Sequence, residues 1–140
     1  MTWPARTWVA GELETATIFN GYVRDPLTDL SKFSRGGPIF DTNGLTAAVN
    51  LIVWYAPFAC TVLNVRGYRV GGTGATVNAR KNGASDHLAS AKSLTSADTW
   101  MDGGAVQNTA YAAGDKLEIM LVTVAGSPTQ VDIQVDLERA

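Results

Sequence analysis

Residues 116–139, KLEIMLVTVAGSPTQVDIQVDLER, decide the fold. In the second half, Val131, Ile133, Val135 and Leu137 fall on one side of an extended chain. Asp132, Gln134, Asp136 and Glu138 fall on the other. Side chains alternate along a strand, so this segment has one dry face and one wet face. The first half reads differently. Leu117, Ile119 and Leu121 share a face, but Met120, Val122 and Val124 occupy the other. Both faces of this strand need cover. One meets the core. The other meets a loop or the N-terminal segment of its own chain, or else a neighbouring subunit, which makes Met120, Val122 and Val124 candidates for a subunit interface. Gly126-Ser127-Pro128-Thr129 reads as the turn of a hairpin joining the two halves.

The period-two pattern extends back to Pro38. LTAAVNLIVWYA (45–56) is β-branched and aromatic and stops at Pro57. FACTVLNVRGYRV (58–70) alternates in part, and GGTGA (71–75) turns the chain. TVNARK (76–81) leads to Asn82-Gly83, a favoured pair for a two-residue primed hairpin turn. ASDHLASAKSL (84–94) is the return strand, AVQNTAY (105–111) is a weaker one, and Ala113-Gly114-Asp115 is a turn. With a short strand at Pro38 to Asp41 the count is about eight by the spacing of turn signals. The expectation is an all-β fold, an antiparallel β-sandwich or barrel with jelly roll as the leading topology, over residues 36–140.

Residues 1–35 differ. In TWVAGELETATIFNGYVRDPLTDL (7–30), Thr15 can cap a short helix. Ile18 with Tyr22, and Phe19 with Val23, form pairs four residues apart. Asp25-Pro26 interrupts this helix and starts further helical turns towards Phe33. Pieces this short are not stable alone in water. The segment carries Trp3, Trp8, Leu13, Ile18, Phe19, Tyr22, Val23, Leu27, Leu30 and Phe33. Burying half of these gives on the order of 10 kcal/mol, while ordering the backbone costs about 1–2 kcal/mol per residue. The arm therefore needs a surface from elsewhere. Either it plugs one open end of its own β domain, or it anchors the chain in a larger assembly. Its Trp content favours the anchor, since Trp is enriched where interfaces concentrate their energy.

The totals set limits. The chain has 140 residues, 46% of them hydrophobic and 17% charged, enough for one domain with a modest appendage. A net charge of −2 gives no global field for nucleic acid or an anionic membrane. No run reaches the ~20 apolar residues of a membrane span. MTWPARTW has no apolar h-region, so synthesis in the cytosol without a secretory signal is expected. The single cysteine, Cys60, lies among Ala59, Thr61 and Val62 and reads as a buried thiol.

Few residues carry chemistry. The one histidine, His87, follows Ser85 and Asp86, and strand neighbours alternate faces, so the three cannot form a triad by themselves. An exposed or hairpin-edge histidine is expected. GGTGAT (71–76) lacks the order of a phosphate loop and no helix follows it. One Cys and one His cannot supply a structural zinc site. Asp98 and Asp102 flank a Gly-rich loop without a calcium-loop pattern. Asp132, Asp136 and Glu138 read as a solvated face that also discourages edge-to-edge pairing. Arg66, Arg69, Arg80 and Lys81 make at most a small basic spot around the hairpin, too weak for nucleic acid. Trp100, in SADTWMDGG, either anchors its loop or stacks on a sugar ring. No catalytic residue, cofactor or metal is expected.

The arm resembles the N-terminal segment of small tailed-bacteriophage virion proteins. The shared features are Trp8, Gly11-Glu12, Thr15-Ala16, Asn20 and Arg24-Asp25-Pro26-Leu27. VRGYRVGGTGATVNARKNGAS with AYAAGDKLEIMLVTVAGSPT is similar to β domains of the same class of phage structural and fibre proteins. The resemblance implies a non-enzymatic virion component, a head-decoration or fibre protein, trimeric, with the arm bound to other capsid or tail proteins and the β domain outward. A tail-associated receptor- or glycan-binding module is the alternative.

Overall fold

The computed structural model describes residues 30–140. The helical pieces expected from Thr15 to Pro26, and the arm residues Trp3, Trp8, Leu13, Ile18, Phe19, Tyr22, Val23 and Leu27, lie outside them. Phe33–Ala140 forms one compact unit. Its strands are β1 (Lys32–Phe40), β2 (Val49–Tyr55), β3 (Cys60–Val70), β4 (Gly74–Lys81), β5 (Ser85–Asp86), β6 (Lys92–Ser93), β7 (Met101–Asp102), β8 (Ala110–Tyr111), β9 (Lys116–Ala125) and β10 (Gln130–Arg139). They form two five-stranded sheets. The first runs β1-β10-β3-β7 with β8 also on β3, and the second runs β2-β9-β4-β5 with β6 also on β4.

Among the described residues the all-β expectation holds, with ten strands rather than about eight. Phe33 belongs to β1, not to a helical turn, and β1 begins six residues ahead of the short strand expected at Pro38. The return strand expected over 84–94 survives only as β5 and β6, two residues each, and the weak strand over 105–111 only as β8 and a bridge from Leu88 to Val106.

The hairpin expected across Gly126–Thr129 is not formed. β9 lies in the second sheet and β10 in the first, and the link crosses the sandwich. Gly126 (φ 66°) and Ser127 (φ 50°) turn the chain out of one sheet plane, and Leu45 N–H donates to Pro128 O at 2.7 Å. The apolar faces of β9 and β10 therefore meet across the core instead of edge to edge. Val131, Ile133, Val135 and Leu137 are buried against Leu117, Ile119 and Leu121, each worth about 1.5–3 kcal/mol. The sheets approach closely at Gly67, where a Cβ would lie 2.8 Å from Val77 Cγ2 and 2.9 Å from Leu94 Cδ2.

Three bulges interrupt the alternation. One extra residue in a strand shifts all later side chains to the opposite face. Leu63 is extra opposite the Asp136–Leu137 step, Val53 opposite Leu117–Glu118, and Val122 opposite Thr76–Val77. The last bulge splits the three residues read as one face of β9. Met120 lies outward but is only 7% exposed, Val122 is 39% exposed, and Val124 pairs with buried Ala75 and packs on the core.

The primed turn at Asn82-Gly83 is present, with φ of 54° and 74°. Ala84 N–H donates to Lys81 O at 3.1 Å, and the ladder resumes one residue late, with Lys81 opposite Ser85. The turn is tied to the one at 113–115: Asn82 Nδ2 donates to Asp115 Oδ1 at 2.7 Å, and Lys116 N–H donates to Asn82 Oδ1 at 2.8 Å.

Candidate functional site

The outer face of the β1-β10-β3-β7 sheet concentrates polar side chains. The register sets Asp132 opposite Tyr68, Gln134 opposite Arg66 and Asp136 opposite Asn64, so all six share this face. Asp136 is its hub. Ser34 Oγ (2.6 Å) and Gln134 Nε2 (2.7 Å) donate to its Oδ1, and Arg66 Nη2 donates to its Oδ2 at 2.7 Å. Asp102 on β7 accepts from Asn64 Nδ2 at 2.9 Å and lies 3.4 Å from Arg66 Nε. Asp132 Oδ2 accepts from Gln130 Nε2 at 2.7 Å. The wet face of β10 thus holds a network centred on Asp136 and a separate Gln130–Asp132 pair rather than a row of independent charges.

A groove of about 470 Å³ crosses this face, lined by Ser34, Gly36, Trp100, Asp132, Ile133 and Gln134 among others. At Gly36, on the groove lining, the β1 backbone comes close against β10. At φ 151°, any Cβ at this position would meet Ile133 O. Trp100 forms one wall. Its ring centroid is 5.4 Å from that of Tyr68 at an interplanar angle of 42°, yet 48% of the residue stays exposed. The Tyr68 hydroxyl donates to Asp98 Oδ1 at 3.3 Å. Trp100 thus packs on its own domain and still offers open surface.

The other chemistry-bearing residues serve the fold. His87, expected exposed or at a hairpin edge, is fully buried. Its Nε2 lies 2.8 Å from the Tyr111 hydroxyl and its Nδ1 3.3 Å from Gln107 O. Burial holds the imidazole pKa below its usual range and raises that of the Tyr111 phenol. Cys60 is buried, as its neighbours suggested, and burial pushes its thiol pKa up. Among the described residues no three of His, Cys, Asp and Glu gather as metal ligands would.

The basic spot around the hairpin does not form, because each cation is engaged separately. Arg69, 3% exposed, donates from Nε to Leu94 O at 3.1 Å, from Nη1 to Gly71 O and to Gly72 O (2.8 Å), and from Nη2 to Thr95 O at 3.2 Å. Arg80 grips Glu118 with two hydrogen bonds of 2.9 and 2.8 Å, which lower the Glu118 pKa. Lys81 Nζ donates to Ala110 O at 2.7 Å. Buried Asn78 acts as a side-chain strand: Nδ2 donates to Leu88 O at 3.0 Å and Oδ1 accepts from Leu88 N–H at 3.0 Å. It fastens the segment between β5 and β6 to β4.

No protein-family model matches the chain, and no curated protein does. Among solved structures, the chain is similar to one described as the cyanophage Pam1 capsid asymmetric unit. Identity is 18% and the TM-score 0.49, over 78% of this chain and 85% of that one. At that level the likeness assigns neither family nor role.

Proposed function

We propose that the chain is a non-enzymatic structural protein of a bacteriophage particle, a head-decoration or fibre component that assembles as a homotrimer and attaches through residues 1–35. The observation that carries this reading is the nested pairing of the strands. β1 neighbours β10, β2 pairs β9, β3 pairs β7 and β8, and β4 pairs β5 and β6. A long antiparallel ribbon rolled on itself has this order. It supports a jelly roll, an architecture typical of viral capsid and lectin domains. The engagement of His87, Arg69, Arg80 and Glu118 in fold-holding contacts supports a role without catalysis.

β2 supports the oligomer. It is a terminal strand of its sheet, and Ile52 (64%), Tyr55 (63%) and Leu51 (40%) are exposed along it. An apolar terminal strand left bare invites uncontrolled pairing, and a second copy of the chain would cover it. Of the interface candidates on β9, Val122 offers surface to the same contact, while Met120 and Val124 are largely covered. Attachment falls to Trp3, Trp8, Leu13, Ile18, Phe19, Tyr22, Val23 and Leu27. Three arms on one trimer would convert weak contacts into firm attachment, and a protein that binds only the assembled particle stabilises it by mass action.

Deleting residues 1–29 spares every strand and tests attachment. With phage particles assembled in the absence of this protein, full-length chain is expected to co-sediment and the truncated chain to remain in the supernatant. Equal binding by both would overturn the role of the arm.

A further inference from the structure

The geometry points to the groove at Trp100 as a binding site for a neutral pyranose ring, which adds a recognition function that does not depend on the assembly reading. Three observations meet there. First, the Trp100 ring rests against Tyr68 while 48% of the residue stays open. A pyranose presents a flat patch of C–H groups, and a fixed aromatic face covers it at small entropic cost. Second, hydrogen-bonding groups stand beside the ring. Asp132 uses Oδ2 for Gln130, and Gln134 uses Nε2 for Asp136 and Ser34. Asp132 Oδ1 and Gln134 Oε1 face no hydrogen-bond partner among the described residues, so both can accept from sugar hydroxyls. These acceptors are already oriented by their other bonds, as a specificity site requires. Third, the groove's volume of about 470 Å³ lies in the range of small-ligand sites.

Charge selects the sugar class. Asp98, Asp102, Asp132 and Asp136 share the neighbourhood, and Arg66 is committed to two of them. Arg35, the other cation at the groove, lies over the rings of Phe33 (5.0 Å) and Trp54 (5.5 Å) and donates to Ser34 O. Excess negative charge disfavours sialic acids, sulfated sugars and phosphates, and carboxylate acceptors favour hydroxyl donors.

The test is titration of the full chain with methyl glucosides, methyl β-galactoside and N-acetylglucosamine, followed by the indole N–H signals of its four tryptophans. N-acetylneuraminic acid and the open-chain polyol sorbitol serve as counter-probes. At least one neutral pyranoside is expected to shift the Trp100 signal saturably, with the counter-probes inert. Asp132→Ala and Gln134→Ala should each weaken binding by about tenfold, the ratio that accompanies loss of one good polar contact. Trp100→Ala should abolish binding while the thermal midpoint stays near that of the parent, since the residue is outside the core. The proposal is overturned if no neutral pyranoside moves the Trp100 signal, if sorbitol or N-acetylneuraminic acid binds as well, or if binding survives Trp100→Ala. Failure here leaves the assembly reading standing, and particle attachment without residues 1–29 leaves the sugar site standing.

Discussion

The two sheets share one core but present unlike outer faces. On the β1-β10-β3-β7 sheet, carboxylates, amides and Arg66 bond to one another, and Trp100 stands beside them against Tyr68, half exposed. On the β2-β9-β4-β5 sheet, Arg80–Glu118 and Thr76–Thr123 (Oγ1···Oγ1 2.7 Å) are pairs rather than a network. That face also ends in the apolar strand β2 and holds a hollow of about 410 Å³ over Met120. A polar network beside a half-exposed tryptophan suits a small hydroxyl-rich ligand. A mixed face with an apolar margin suits another protein surface. Single-residue insertions act alike on both faces: Leu63 on β3 and Val122 on β9 stand exposed where each ladder slips.

The largest effect that would break this division of labour lies on one strand. Ile133→Ala opens a cavity between the sheets and should cost about 3 kcal/mol, while Gln134→Ala, one residue away on the wet face, should cost under about 1 kcal/mol. Urea denaturation of both variants checks this. Similar losses would mean that the outer network, not the core, holds β10 in place.

A smaller effect separates the sheets by pH. Buried His87 lies between Ala79, Gln107 and Tyr111, with Lys81 and Asp86 the charges acting on it. Its folded pKa is lowered from 6.5, chiefly by burial. Below that pH the unfolded chain takes up a proton that the folded chain refuses, so stability should fall as pH drops from 6.5 towards the folded pKa. His87→Gln should flatten this part of the stability profile. An unchanged slope would assign the acid sensitivity to the carboxylates of the opposite face.

Much of the fold was legible because it is local. The alternation of β10 gave its buried and wet faces, and Asn82-Gly83 and Ala113-Gly114-Asp115 gave two turns. Partners were not legible. β9 and β10 are adjacent in sequence yet lie in different sheets, because a four-residue link fits a crossing as well as a hairpin and only the distant strands β3 and β4 decide between them. The two-residue strands β5 to β8 carry no periodic signal. The site was legible only as Trp100. Its neighbours Gly36 and Ser34 come from β1, far away in the chain. Arg69 continues the inward series Val65, Gly67, and an arginine at an inward position must bring its partners with it rather than add to a surface basic spot.

The central claim is that the chain works as an assembled structural part whose β2 surface meets another copy. Sedimentation velocity of the full chain, beside Ile52→Asp, tests it most directly. The account predicts one species of three chains that the substitution returns to single chains with the sandwich intact. A full chain that sediments as a monomer at every concentration would contradict it.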